Sequence, residues 1–370
     1  QISAGNRKTY TISLWFKLGK SPSTDSAGFW STSPSNDSGY GGNPSPYNMQ
    51  FFQFVSGALE IQDYNVSGNH YVFRKRTNRT FKDSSKFYHL LMAVDTTQST
   101  ASDRVKLYID GEQITSFNDI NSSFGYPDED EDTSANQNTY YDVINIGYDS
   151  HWDGYIAEFN FVDGSALTPS TFGLTDTSTG RWIPKTLTGI TYGTNGYRLT
   201  FANSAGQTIG DDTSGNTNDF TVTNLAASDI TTDSPTQNHT TLNQIKNSNI
   251  TLSEGNLRSA TVSGGQGYVS GSDLPLTSGK YYGEITITTA GGTLFFVGVG
   301  NRDDYLDHYT EQNPLSKIEG GYIRSDTGQG YTAYGDTGTY RTYGSSFTTN
   351  DIIGIAVDVD KGAVWISKNN

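Results

Sequence analysis

Cysteine is missing from all 370 residues, and with it go disulfides, thiolate chemistry and Cys-ligated zinc. Positive charge is scarce: 24 Lys plus Arg face 39 Asp plus Glu, and the formal charge of −15 repels a phosphate backbone. Nucleic acid is therefore not an expected partner. No apolar run approaches the roughly 18 residues of a membrane-spanning helix, and no basic segment with an apolar core opens the sequence. Membrane insertion is not expected either. Sustained helical periodicity is also lacking, so helix should be rare.

What the sequence does contain is turns and short alternating strands. Gly, at 41, and Tyr, at 24, are abundant, which points to an all-β chain. In the run from Val105 to Glu112 the apolar Val105, Leu107 and Ile109 alternate with Lys106 and Tyr108 and then meet Asp110-Gly111. That is a half-buried strand entering a tight hairpin. The same alternation marks Tyr10 to Lys17, Phe87 to Asp95 and Gly154 to Gly164. The length suffices for two domains, each able to bury its own core.

Six landmarks follow one another along the chain: Ile12-Ser13-Leu14-Trp15, Phe87-Tyr88-His89, Leu107-Tyr108-Ile109-Asp110-Gly111, Ile146-Gly147, Asp153-Gly154-Tyr155-Ile156 and Ala166-Leu167. In this order they resemble the laminin-G-like, concanavalin A-like jelly roll, over residues 5 to 175. The resemblance implies a β-sandwich that binds glycans or proteins rather than catalysing. Secreted animal laminin-G modules normally carry cysteines, so a bacterial or viral source fits this chain better.

Beyond Ser165 the composition shifts to Thr, Asn, Asp, Ser and Gly, which reads as connection rather than core. Gly196 to Phe201 and Asp219 to Asn224 still read as short strands, and Tyr197 to Phe201 is expected to close the first sandwich. Between them Asp212, Ser214, Asn216 and Asn218 alternate about Gly215, a candidate oxygen-ligand set for Ca2+. The competing reading is an Asx-rich turn satisfied by its own backbone. No cofactor is required, and Ca2+ is the only one considered.

A second strong block comprises Ser278 to Glu284, Phe295 to Gly300, Gly320 to Tyr322, Asp351 to Asp360 and Ala363 to Asn369. On its first strand Tyr281, Gly283 and Ile285 share one face, and Tyr282, Glu284 and Thr286 the other. The block resembles a SPRY domain. That family continues past the Lys-Asn pair with at least one more strand, whereas this sequence stops at Asn370, so a portion of a longer polypeptide is expected. The expected architecture is all-β: a concanavalin A-like sandwich over 1–201, a Thr/Asn/Asp-rich bridge over 202–250 and a truncated SPRY-like sandwich over 251–370.

Concanavalin A-like sandwiches also host glycoside hydrolases, which need two suitably spaced carboxylates. The hydrolase run Glu-x-Asp-x-x-Glu is absent: Glu60-Ile-Gln-Asp63 has the wrong spacing, and Glu158 has no partner two residues earlier. No catalytic residue is expected, and the chain is read as a non-enzyme. The five histidines are scattered, without the pairs a transition metal needs. His89 reads as packing with one hydrogen bond. Asp128-Glu-Asp-Glu-Asp132 reads as a solvated mobile loop, with a contribution to a rim calcium site as the alternative.

Sugar binding needs an aromatic face beside planar carboxylates or amides. Tyr148, Asp149, His151, Trp152 and Asp153 supply both in one loop, and Tyr40 adds a further aromatic. They form the candidate ligand-binding rim. In the second block the segment from Asn301 to Tyr309 offers Asp303, Tyr305 and Tyr309 as a candidate protein-contact surface.

A laminin-G-like module followed by a SPRY-like one resembles virion proteins of tailed phages. The resemblance implies an exposed, extracellular virion appendage, such as a tail fibre, that recognises host cell-surface glycan. A structural or decorating virion protein is the alternative, and a glycan depolymerase ranks behind both. Expected partners are host glycan and other virion subunits. Weak sugar contacts gain when copies act together, so the full-length protein is expected to be a homo-oligomer, a trimer. No heptad repeat occurs here, which places the oligomerising element outside residues 1–370.

Overall fold

Tyr10, Ile12, Leu14 and Phe16 alternate along the first strand with their side chains fully buried, and they form the centre of a two-sheet sandwich. The computed structural model describes residues 5–19, 27–33, 49–65, 70–118, 125–137, 141–144, 153–242, 250–261, 271–272, 276–290, 294–301, 319–334 and 337–369. They fall into two units, Gln1–His239 and Thr240–Asn370.

The first unit contains β1 (Thr9–Leu18), β2 (Ala27–Ser33), β3 (Met49–Val55), β4 (Ala58–Asn65), β5 (His70–Thr80), β6 (Tyr88–Asp95), one helical turn α1 (Ala101–Arg104), β7 (Val105–Ile109), β8 (Glu112–Ile114), β9 (Tyr141–Ile144), β10 (Gly154–Asp163), β11 (Gly173–Thr175), β12 (Trp182–Pro184) and β13 (Tyr197–Leu199). A six-stranded sheet runs β13-β10-β1-β6-β7-β8 and a five-stranded one β5-β4-β3-β2-β9. Because side chains alternate between faces, each sheet sends one set inward. Phe16 from the first sheet stacks on Phe29 from the second at 6.1 Å and on Tyr88 at 5.2 Å. Each such ring contributes about 1.5–3 kcal/mol on burial. The Asp110-Gly111 turn joins β7 to β8 with both residues at positive φ, 54° and 84°, as the sequence signal requires.

The outer side of the six-stranded sheet is not open. Leu91 and Val162 pack there against Phe172 and Tyr192 from the segment that follows β10. Strand β13 extends this sheet alongside β10, so the expected closure is present. Asp219 to Asn224, expected as a strand, forms none; it is anchored at its start, where Asp219 Oδ1 accepts from the Asp212 N–H at 2.8 Å and Phe220 packs edge-on against Tyr197 at 4.8 Å. The sequence placed a separate bridge over 202–250, but the division between the units falls at His239. The physical reason is that residues through 239 are tied back to the first sandwich by Phe220 and by a buried ion pair from Asp233 to Lys17.

The second unit contains β14 (Ile250–Ser253), β15 (Arg258–Thr261), β16 (Lys280–Thr286), β17 (Phe296–Gly300), β18 (Gly320–Arg324), β19 (Gly330–Tyr334), β20 (Thr337–Arg341), β21 (Ile352–Asp358) and β22 (Ala363–Lys368). Its sheets are β14-β15, β16-β21-β22 and β17-β18-β19-β20. Ile353 from one sheet meets Val297 and Ile323 from another, with Ile287 and Phe347, in a core of its own. Among the described residues no helix is long and apolar enough to cross a membrane.

Candidate functional site

Of the sequence-derived rim, Tyr40, Tyr148, Asp149, His151 and Trp152 lie outside the described residues, as do Asp303, Tyr305 and Tyr309. Asp153 is described: it precedes β10, is half-buried, and its carbonyl accepts a hydrogen bond from the Gly19 N–H at 2.9 Å.

Asp212, Ser214, Asn216 and Asn218 do come together, around the end of β13. Asp212 Oδ1 accepts from the backbone N–H of Arg198 and Ser214, both at 2.8 Å. Its Oδ2 accepts from Ser214 Oγ at 2.8 Å and from the Asn218 N–H at 3.0 Å. The amide nitrogens of Asn216 and Asn218 both donate to the Gly196 carbonyl at 2.9 Å. These side chains hold a turn against the edge of the sheet. Among the described residues no group of three or more acidic or histidine side chains gathers as a metal set.

The acidic run is an anchored turn instead of the expected mobile loop. Asp130 pairs with Lys8 at 3.2 Å, Asp132 with Arg7 at 3.3 Å, Glu131 with His70 at 2.9 Å and Glu129 with Arg104 at 3.5 Å. The partners come from three stretches of chain away from the acidic run, so no local pattern announced the pairing.

His89 makes two hydrogen bonds where one was expected. Trp182 Nε1, which can only donate, reaches His89 Nδ1 at 3.1 Å. Nε2 therefore carries the proton and donates to Ser13 Oγ at 2.9 Å. Burial pushes the imidazole down from 6.5 to about 3, so it is neutral. All of its polar capacity is spent internally, on the side of the sheet covered by Trp182.

A different surface gathers chemistry suited to a ligand. Strands β3, β4 and β5 pair so that Gln53, Glu60 and Arg76 stand abreast, and two positions along β4 Gln62 faces Arg74. The intervening Phe52, Phe54, Leu59 and Ile61 enter the core, which turns this polar set to the outer face of the five-stranded sheet. Glu60 Oε1 accepts from Gln53 Nε2 at 2.8 Å and Arg74 Nη2 at 3.1 Å, and Oε2 from Arg76 Nε at 2.7 Å. Such charge-assisted contacts fix both guanidinium planes. The Glu60 side chain has no exposure, whereas those of Arg74 and Arg76 keep 20% and 19%, so the arginines are the reachable groups. Arg74 also lies over the Tyr71 ring at 4.9 Å, and Tyr71 meets Tyr64 edge-on at 4.9 Å. Gln53 and Gln62 are buried with Glu60, at 5% and 2%, so the groups that can meet hydroxyls and carboxylates of a polar ligand are the two guanidinium edges.

Sequence reasoning weighed Glu60 only as a failed hydrolase pattern. The usable signal was Arg74 and Arg76 at a spacing of two beside a strand carrying Glu60 and Gln62, which places all four on one face only once the register is known.

Residues 2–171 match the Laminin_G_3 family model, the concanavalin A-like lectin/glucanases superfamily. The first unit thus has the concanavalin A-like fold. No curated protein matches the chain. Among solved structures it is similar to a heptameric SAP-like pentraxin from Limulus polyphemus, at 15% identity and a TM-score of 0.27 over 45% of this chain and 69% of that one. It is also similar to the botulinum neurotoxin serotype D binding domain, at 14% identity and a TM-score of 0.28 over 45% of this chain and 35% of that one. A candidate carbohydrate-binding protein from Bacteroides ovatus matches at 13% identity and a TM-score of 0.30, over 58% of this chain and 53% of that one.

Proposed function

We propose that this chain is a non-enzymatic glycan-binding part of a phage virion appendage, such as a tail fibre, displayed outside the cell. Its first unit would recognise host cell-surface glycan through the outer face of β3, β4 and β5, with the loop at residues 148–153 as a second contact. The observation that carries this reading is the pair of partly exposed guanidinium groups, Arg74 and Arg76, preorganised by the buried Glu60 carboxylate that Gln53 also holds. The match of residues 2–171 to a lectin and glucanase superfamily supports it. The laminin-G-like then SPRY-like order in the sequence supports the virion setting. No metal enters this reading, and other virion subunits are the remaining proposed partners.

The test is binding of the fluorescently labelled chain to susceptible host cells and to a glycan array. Arg74→Gln leaves Arg76 on Glu60 and should weaken binding about tenfold, near 1.4 kcal/mol, with little change in melting temperature. Trp152→Ala should weaken it by about 1–3 kcal/mol if the loop contributes. A parent chain that binds neither cells nor glycans would favour a decorating virion protein whose sandwiches contact neighbouring subunits. Light scattering at micromolar concentration should find a monomer or weak oligomer, with trimerisation supplied by the full-length protein; a stable trimer would place that interface in the sandwiches.

A further inference from the structure

In the second unit the pairing of β16, β21 and β22 puts Tyr282, Ala356 and Trp365 side by side on one face of the sheet. The opposite face carries Ile353, Ile355 and Ile366 into the core, so the first three point away from it. Tyr282 is 59% exposed and Trp365 53%, unusual for large aromatics on a regular strand. Two strand spacings separate them, roughly 10 Å, and the small Ala356 between them keeps the floor low. In the next register Glu284, Gly354 and Ser367 line up, again with a residue lacking a side chain at the centre. Tyr282 donates its hydroxyl to Glu284 Oε1 at 2.9 Å, which fixes the ring. On the Trp365 side the Ile366 N–H is held by the Tyr343 hydroxyl at 2.8 Å.

We propose that this face is a separate carbohydrate platform that takes a neutral oligosaccharide chain, with Tyr282 and Trp365 stacking on successive sugar rings across the Ala356 floor. Aromatic rings set on a flat sheet suit the C–H face of a pyranose. Charge selects the class of ligand. Lys280 and Lys361 flank the face, but Asp358, Asp360 and Glu284 balance them, so there is no cationic excess for an acidic glycan or a nucleic acid. The same lysines, with side chains 77% and 73% exposed, oppose a second copy as occupant, because an interface of the usual size would have to desolvate them. This platform rests on the carbohydrate-binding reading above but uses different residues in the other unit.

The experiment titrates the intact chain with cellohexaose, chitohexaose, maltohexaose and, as an acidic control, a galacturonate oligomer, read by tryptophan fluorescence and calorimetry. At least one neutral hexaose should bind, and Trp365→Ala and Tyr282→Ala should each weaken it about tenfold or more, whereas Trp365→Phe keeps most of the affinity. The proposal is overturned if no neutral hexaose binds, if the acidic oligomer alone binds, or if both alanine variants bind like the parent. It is also overturned if Trp365→Ala lowers the mass seen by light scattering, which would make the face a contact between copies. Host-cell binding lost in Arg74→Gln but kept in Trp365→Ala would separate the first-unit reading from this one, and the converse would do so in the other direction.

Discussion

Lys17 and Asp233 form a fully buried ion pair, Nζ to Oδ2 at 2.7 Å, across 216 residues of sequence. Asn238 Oδ1 at 3.0 Å and the His239 carbonyl at 2.6 Å complete the ammonium's partners. The rings of Phe87 and Tyr155 stand over it at 5.6 and 5.9 Å. Desolvation draws the lysine below its usual value, and the bond to Asp233 opposes that. The pair staples the end of the segment beyond β13 to the first strand.

Removing one partner should therefore be worse than removing both. Asp233→Ala strands a buried ammonium and should cost about 3–5 kcal/mol, whereas Lys17→Met combined with Asp233→Leu should cost far less. Urea unfolding followed by circular dichroism decides this; equal losses for the two variants would show that the pair matters only through its packing.

Two buried groups set opposing pH dependences in the first unit. His89 is held at about 3 against 6.5 when unfolded, so its contribution is complete above 6.5 and falls as pH drops toward 3. Asp63, buried against Ser134, is pushed up from 3.8 to about 7, so the folded state gains relative stability as pH falls from 7 toward 3.8. Each slope is about 1.4 kcal/mol per pH unit where it acts, and between 6.5 and 3.8 they cancel. Asp63→Asn should expose the His89 slope as a falling melting temperature between pH 6.5 and 4.5. A flat profile in that variant would mean that His89 does not stay neutral.

Gly173 has a packing reason to lack a side chain, since a Cβ there would sit 2.5 Å from the Trp182 ring. Gly173→Ala should displace the indole, break its bond to His89, and cost about 1–3 kcal/mol. The expected readout is a shifted tryptophan emission together with a lower urea midpoint, and an unchanged midpoint would mean that the cover over the six-stranded sheet is soft.

Asp212 accepts four hydrogen bonds at the edge strand β13. Asp212→Ala should lower stability by about 2–4 kcal/mol, and by the same amount in EDTA as in millimolar Ca2+. If Ca2+ raises the melting temperature of the parent but not of the variant, the turn is a calcium site.

The strands begun near Tyr10, Tyr88, Val105 and Gly154, and those at Lys280, Phe296, Ile352 and Ala363, were readable in advance because burial on one sheet face imposes a period of two, as at Val105, Leu107 and Ile109, and because Asp110-Gly111 has a local backbone requirement, whereas β2 to β5, which carry Glu60, Arg74 and Arg76, were not read as strands. Such signals act within a few residues, and so does the Asx chemistry that draws Asp212, Ser214 and Asn218 into one turn. Which strands lie abreast is not local. Arg74 and Arg76 converge on Glu60, Tyr282 and Trp365 share a face, and Asp233 reaches Lys17 only because antiparallel register and the return of the chain bring them together. A charged or aromatic residue reads the same in sequence whether it meets solvent or a partner 216 positions away. Desolvation and pairing, which separate those outcomes, exist only once the chain has folded.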